Sequence, residues 1–327
     1  MPAITADTLT LPRLNGLAAA TDYRAVRKVV TAHRQLEGEG FEVRRPFPGM
    51  DLSLADPFLL LDHMGAVEYG PGEAKGAPWH PHRGFETVTY MLDGAFEHKD
   101  STGGGGLLTD GSTQWMTAGS GILHSELPPQ EFIAKGGLFH GVQLWVNLPA
   151  AQKWSPPRYQ DINPGDVQLI SSADGGALVR LIAGSLQDFD GPGSTYTPIT
   201  YLHATMTSGA RLDLPWPPDF NALVYVLSGR GYVGSDDRPL DEGQLAVFAG
   251  GDAVTMRAAG TQRQAANGGW DVLVLGGLPI GEPVARYGPF VMNTKAEIVQ
   301  AMEDYQAGRL GQIEVPHHTA ADLSPDI

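Results

Sequence analysis

Two pairs of residues in this chain have the spacing of metal ligands. In Trp79-His80-Pro81-His82-Arg83-Gly84 two histidines stand two apart, and in Gly121-Ile122-Leu123-His124-Ser125-Glu126 a histidine and a glutamate do the same. In extended backbone, residues i and i+2 project from one face, so each pair can converge on a single ion. Pro81 reinforces the extended reading, because its ring fixes its own φ and disfavours helical geometry at His80. On facing strands the two pairs would supply three neutral imidazoles and one carboxylate: His80, His82, His124 and Glu126. The chain has no cysteine, so thiolate metal sites, disulfides and cysteine nucleophiles are excluded, and any metal must sit on nitrogen and oxygen. Such a set is too nitrogen-rich for calcium or magnesium. It suits Fe(II), or another divalent first-row metal, with positions left open for water, dioxygen or substrate. Three imidazoles and one carboxylate on Fe(II) leave a net charge of about +1, which favours an anionic, enolate-like ligand.

The elements that must position these residues read as strands. Asp56–Leu61, Phe85–Leu92, Gly141–Leu148, Val179–Ile182, Ala222–Leu227, Leu245–Phe248 and Val272–Leu275 are apolar runs bounded by Gly, Pro, Asp or Ser. Between His82 and Gly288 no amphipathic helix stands out, so the pattern points to an all-β sandwich or barrel. One helix is expected at the end, where Thr294 and Glu297 form a capping box ahead of Ile298, Met302 and Tyr305, with Gly308 as the stop. Residues 1–20 are small and polar and read as flexible.

An internal repeat is visible. Phe85-Glu-Thr-Val-Thr-Tyr-Met-Leu-Asp-Gly94 resembles Phe220-Asn-Ala-Leu-Val-Tyr-Val-Leu-Ser-Gly229, and Asp110-Gly111 is echoed by Glu242-Gly243. The expected organisation is an N-terminal extension (1–40), a barrel with the metal site (41–150), a second barrel without metal (151–290), and a C-terminal helix and tail (291–327). The Pro-, Gln- and Asp-rich stretch Pro149–Gly165 is the divider. Aligning the copies on their Phe-to-Gly strands puts Pro215 and Pro217 opposite His80 and His82. Aligning Gly111 with Gly243 puts Met256 opposite His124 and Ala258 opposite Glu126. The ligand set is thus expected in the first copy alone.

Around the pairs, Gln143 is a candidate neighbour of the ion. Trp145, Trp115 and Met116 read as core, and His98 as exposed or packed against a ligand. Asp62 and His63 read as residues of the site mouth. The run Gly103–Gly106 lacks the lysine and hydroxyl residue of a phosphate loop and reads as a turn or mobile lid.

With 22 Lys and Arg against 37 Asp and Glu, the net charge of −15 argues against direct nucleic-acid binding. The basic stretch Arg24, Arg27, Lys28, Arg34, Arg44, Arg45 reads as solvated or paired with Glu37, Glu39 and Glu42. No apolar run approaches a membrane span, and no basic segment with an apolar core opens the chain, so the expectation is a cytoplasmic protein.

His80-Pro-His-Arg-Gly-Phe-Glu-Thr87, Gln114-Trp-Met-Thr-Ala-Gly119, Gly121-Ile-Leu-His-Ser-Glu126, Gln143-Leu-Trp-Val-Asn-Leu148 and Gly288-Pro-Phe-Val-Met-Asn293 resemble the pirin family of the cupin superfamily, over roughly residues 40–310. The resemblance implies a bicupin, two jelly-roll-like barrels with one iron in the first. The family's ligand motif falls on the same four residues, with Glu126 rather than Glu86 as the carboxylate. Pirins resemble quercetin 2,3-dioxygenases, so the implied activity is an iron dioxygenase on a flavonol or similar aromatic substrate, with Glu126 as ligand and catalytic base. The alternative is an iron- and redox-dependent regulatory protein that binds a transcription factor or metabolic enzyme as its protein partner. The forty-residue N-terminal extension and the glycine run depart from the shorter eukaryotic members.

Overall fold

The computed structural model describes residues 4–47, 50–262 and 268–312, so the tail 313–327 lies outside the described residues. The chain is mostly β, and each copy of the repeat builds one seven-stranded and one four-stranded antiparallel sheet. In the first copy the large sheet runs Arg158–Ile162, Thr113–Thr117, Phe85–Asp93, Gly137–Asn147, Phe58–Tyr69, Phe41–Arg45, His33–Glu37. Its small sheet runs Ala77–His82, Ile122–Leu127, Phe96–Asp100, Gly105–Leu108. The second copy repeats both orders. Its large sheet runs from Val26–Thr31 through Gln244–Phe248, Asn221–Ser228, Trp270–Gly277, Ile199–Met206 and Ala177–Ala183 to Gln168–Ser171.

Two expectations about local structure are corrected. The start of the chain is held in place from residue 4: Leu14 N–H donates to Ser171 O, Arg180 donates to Ile4 O, and both Ile4 and Leu14 are buried. Small polar residues gave no sign of this, because the contacts are made by backbone with strands more than 150 positions away. A short helix, Gln130–Lys135, also interrupts the region expected to be helix-free. The glycine run is half strand: Gly105–Leu108 pairs with Phe96–Asp100, and the turn before it is held by Thr102 and Gly104 N–H donating to the Asp100 carboxylate. The C-terminal helix Lys295–Gln306 has the expected capping box between Thr294 and Glu297.

The two large sheets meet across a core that includes Phe58, Leu61, Val88 and Val142 from one copy and Leu223, Leu273 and Leu275 from the other. The repeated tyrosines, Tyr90 and Tyr225, cross this interface reciprocally. Tyr90 Oη lies 3.0 Å from His203 Nδ1, and Tyr225 Oη lies 3.1 Å from His63 Nδ1. The registers match as well: Tyr90, Val142 and His63 form a row across one sheet, and Tyr225, Leu273 and His203 form one across the other. Such self-complementary pairing is what a pseudo-two-fold axis produces.

His203 Nε2 is also 3.4 Å from Asp271 Oδ1, yet burial outweighs that carboxylate and holds the imidazole down at about 4. An unfolded His203 takes up a proton as pH falls below about 6.5, whereas the folded one does not until about 4. Stability is therefore expected to drop on the order of 3 kcal/mol through that window from this residue. Urea midpoints measured from pH 7 to 4 check it. His203→Gln should flatten the profile, and an unchanged slope would contradict the assignment.

Candidate metal centre

The two candidate pairs sit on neighbouring strands of the small sheet in the first copy. Ala77–His82 pairs antiparallel with Ile122–Leu127, placing His80 directly across from His124. Alternation then puts His82 on the same face. The register shifts between His124 and Glu126, so that Glu126 lies opposite Ala77; the extra residue of this bulge is on Ala77–His82, while Ile122–Leu127 pairs without a break with Phe96–Asp100 and keeps Glu126 on the face of His124. Behind the turn after His82, Arg83 donates to Ser120 O at 2.6 Å and to Asp304 of the C-terminal helix at 2.7 Å. The helix therefore braces the loop that carries the first pair.

The structure brings His80, His82 and His124 together, with one ligand atom from each lying within 4.8 Å of the others. Glu126 borders the same space as His80 and His82 and accepts a 2.8 Å hydrogen bond from Thr89 Oγ1 on Oε1. Thr89 Oγ1 is also 2.6 Å from the Gln143 amide. With a single hydroxyl proton it cannot donate to both, so the consistent arrangement has Gln143 turning its NH2 toward Thr89.

The fit to a metal rests on the nitrogens. His80 Nδ1 lies 2.8 Å from Pro78 O and His82 Nδ1 lies 3.4 Å from Pro289 O, contacts in which Nδ1 is the donor and Nε2 is left for the cluster. The two Nε2 lone pairs then face each other at 3.1 Å, which is repulsive unless a cation lies between them. A gap near 3 Å is also what two nitrogens about 2.1 Å from one ion would show at right angles. His124 Nε2 is buried with no hydrogen-bond partner, a costly state for a polar atom in an apolar interior. Burial, and then the neighbouring imidazoles, hold His82 and His124 well below the usual histidine range, so both are neutral at pH 7. Three imidazoles gathered at one point, two of them buried and neutral, are suited to a metal ion.

Several neighbours were not legible in the sequence, or were misread. Of the two readings given for His98 the second holds: it is buried and packed against His124, with its Nε2 3.1 Å from His124 Nδ1 and 3.2 Å from Tyr159 Oη. Tyr159 arrives from the divider between the repeats, on the strand Arg158–Ile162 that pairs with Thr113–Thr117. No local spacing could have linked it to residue 124. Trp145 is not core. It lines the cavity, with its ring 5.3 Å from that of His82. Asp62 also lines that cavity, but His63, one position on, points to the opposite face of the sheet and meets Tyr225 and His140. Glu86 stands away from the cluster, where it accepts a 2.7 Å bond from Thr117 and burial raises its pKa.

The cavity over His80, His82 and Glu126 has a volume of about 580 Å³, and its apolar wall includes Phe41, Met64, Phe96 and Trp145. A larger groove of about 1260 Å³ lies along the glycine run and His98 and contains none of the three clustered histidines. The histidine cluster therefore opens onto the smaller space.

In the second copy the equivalent pairing is Arg211–Pro215 with Ala253–Ala258, and Leu212 is opposite Met256. The residues standing where His80 and His82 stand are thus Leu212 and Leu214, not Pro215 and Pro217. The connection from this strand to the next is longer than the one between His82 and Phe85, which slid the sequence alignment by three. Leu212, Leu214, Met256 and Ala258 are all buried, and none offers a nitrogen or carboxylate donor.

Two cupin-type barrels, with a histidine cluster in the first, define a bicupin. Family models for pirin and for the pirin C-terminal cupin domain match residues 40–146 and 201–311. The chain belongs to the pirin family. It is 41% identical over 291 residues to a pirin-like protein of Solanum lycopersicum, covering 88% of this chain and 93% of that one. It is 41% identical over 280 residues to a Pseudomonas aeruginosa protein named "Putative quercetin 2,3-dioxygenase PA2418", covering 85% and 95%. Among solved structures, a quercetin 2,3-dioxygenase from Acinetobacter baumannii superposes with a TM-score of 0.82 at 38% identity, covering 89% of this chain and 99% of that one. No helix among the described residues is long and apolar enough to cross a membrane.

Proposed function

We propose that this protein is a non-haem iron dioxygenase of the quercetin 2,3-dioxygenase type, acting on a flavonol or a similar enolisable aromatic. The observation that carries this reading is the joining of the convergent imidazoles and a carboxylate to an aromatic-walled cavity, about 580 Å³ in volume, of the size that takes a small planar molecule. The names of the similar bacterial proteins support it. In this reading His80, His82, His124 and Glu126 hold the ion.

When bound, iron supplies Lewis acidity and one-electron chemistry toward dioxygen. The chain does the rest. Thr89 fixes Glu126 through Oε1, leaving Oε2 to take the proton of the substrate hydroxyl. His98 holds the His124 ring through Nδ1, and such contacts behind a ligand set its tautomer and orientation. Phe41, Met64, Phe96 and Trp145 exclude water from the reacting ring.

Oxygen uptake with quercetin tests the proposal. Iron-loaded protein should consume dioxygen, and His124→Ala protein should not. Glu126→Gln should slow turnover by about 10²–10⁴-fold, the usual contribution of a positioned base. Equal uptake by wild type and the His124→Ala control would refute the dioxygenase reading.

A further inference from the structure

One cation at the cavity mouth is not used by the fold. Arg45 lines the cavity, but its guanidinium is taken up: it forms a two-point pair with Asp62 and reaches Glu37 at 2.7 Å. Arg286, which also lines the cavity, has no carboxylate within ion-pair distance among the described residues. The one hydrogen bond of its guanidinium among the described residues is a 3.4 Å contact to Leu59 O. Its guanidinium lies over the face of Trp145, 4.7 Å from the ring centroid. Trp145 in turn stands 5.3 Å from the His82 ring, so one aromatic side chain separates this cation from the histidine cluster.

Arg286 is also well fixed. It belongs to the hairpin Ala285–Tyr287 with Phe290–Met292. That hairpin is pinned to the turn after His82 by Val291 N–H donating to Arg83 O at 3.0 Å. The loop that carries the metal pair and the hairpin that carries Arg286 therefore move together. Arg45, Arg286, Asp62 and Glu37 sum to no net charge. What Arg286 offers is thus a planar set of unused N–H donors rather than a diffuse positive field, and that geometry matches an oxygen anion with two acceptors.

We propose that Arg286 binds a second anionic oxygen group on the substrate, a carboxylate or an acidic phenol, at the end remote from the metal. The preferred ligand class is then a planar hydroxylated aromatic with two anchors: adjacent oxygens at the histidine cluster and an anionic oxygen about one ring away at Arg286. This inference rests on the reading above that the cluster holds a metal which takes the first pair of oxygens.

Binding of 3,4-dihydroxybenzoate and of catechol to Zn(II)-loaded protein, followed by titration calorimetry, tests it without turnover. Wild type should bind the carboxylate-bearing probe at least about 10-fold more tightly than catechol, as a charge-assisted contact provides. In Arg286→Gln the ratio should fall to about one, and Arg286→Lys should retain part of it. Lack of binding by wild type, a ratio near one in wild type, or a preference that survives Arg286→Gln would each overturn the proposal. The metal reading is tested separately by metal-free and His124→Ala protein. If catechol affinity is indifferent to the metal while the carboxylate preference still depends on Arg286, the metal reading falls and the Arg286 site stands.

Discussion

Replacing His124 with methionine is expected to lower affinity for a divalent first-row ion by at least about 100-fold and to leave the chain folded. Loss of a residue behind a ligand typically costs 10- to 100-fold, so loss of a nitrogen ligand itself sets the larger figure. The fold should survive because the second copy already carries Met256 at the equivalent place, buried among Leu212, Leu214 and Ala258. In the metal-free state the substitution also removes a buried His124 Nε2 that has no partner. Such an atom costs roughly 1–3 kcal/mol, so the metal-free variant should melt no lower than metal-free wild type. Chelator competition gives the affinity and calorimetry gives the melting temperature. An affinity within about threefold of wild type would mean that His124 is not a ligand.

Lys153→Met is expected to destabilise the protein by about 3–5 kcal/mol, because three buried acceptors lose their donor at roughly 1–3 kcal/mol each while the cost of burying the charge is relieved. Lys153 is fully buried, and its Nζ donates to Gly84 O at 2.8 Å, Asn147 Oδ1 at 2.7 Å and Val291 O at 3.0 Å. One ammonium thus joins the divider between the repeats, the turn after His82 and the C-terminal hairpin. Burial has lowered its pKa to about 8, which shows how strongly the site opposes the charge. The three acceptors are what compensate for that cost, and methionine would leave all of them without this donor. Relief from burying a charge offsets part of the loss, so the estimate stays below the sum of three orphaned acceptors. Urea unfolding at pH 7 measures it. A change under about 1 kcal/mol would show that the network contributes little.

Local spacing and composition were enough for several features. Two i,i+2 pairs without any cysteine singled out His80, His82 and His124, which the fold gathers at one point. Short apolar runs between turn residues gave a mostly β chain, and the Thr294–Glu297 pattern gave the terminal helix. The echo of Phe85–Gly94 in Phe220–Gly229 gave the two copies. Each of these depends on residues a few positions apart, whose relation is set by the strand or helix period.

What only the tertiary structure decided depends on register and on chain return, which no local period encodes. The three-residue slip that put Pro215 and Pro217 in place of Leu212 and Leu214 is one example. The reciprocal contacts of Tyr90 and Tyr225, the ordering of the first residues on the second copy, and the turning of His63 away from the cavity beside Asp62 are others. The metal pairs belong to the same division. Sequence could say that each pair shares a face, because alternation is a property of one strand. Only the antiparallel register placed His80 across from His124. Only packing between distant segments brought Thr89 to Glu126, His98 and Tyr159 behind His124, and Arg286 over Trp145 at the cavity mouth.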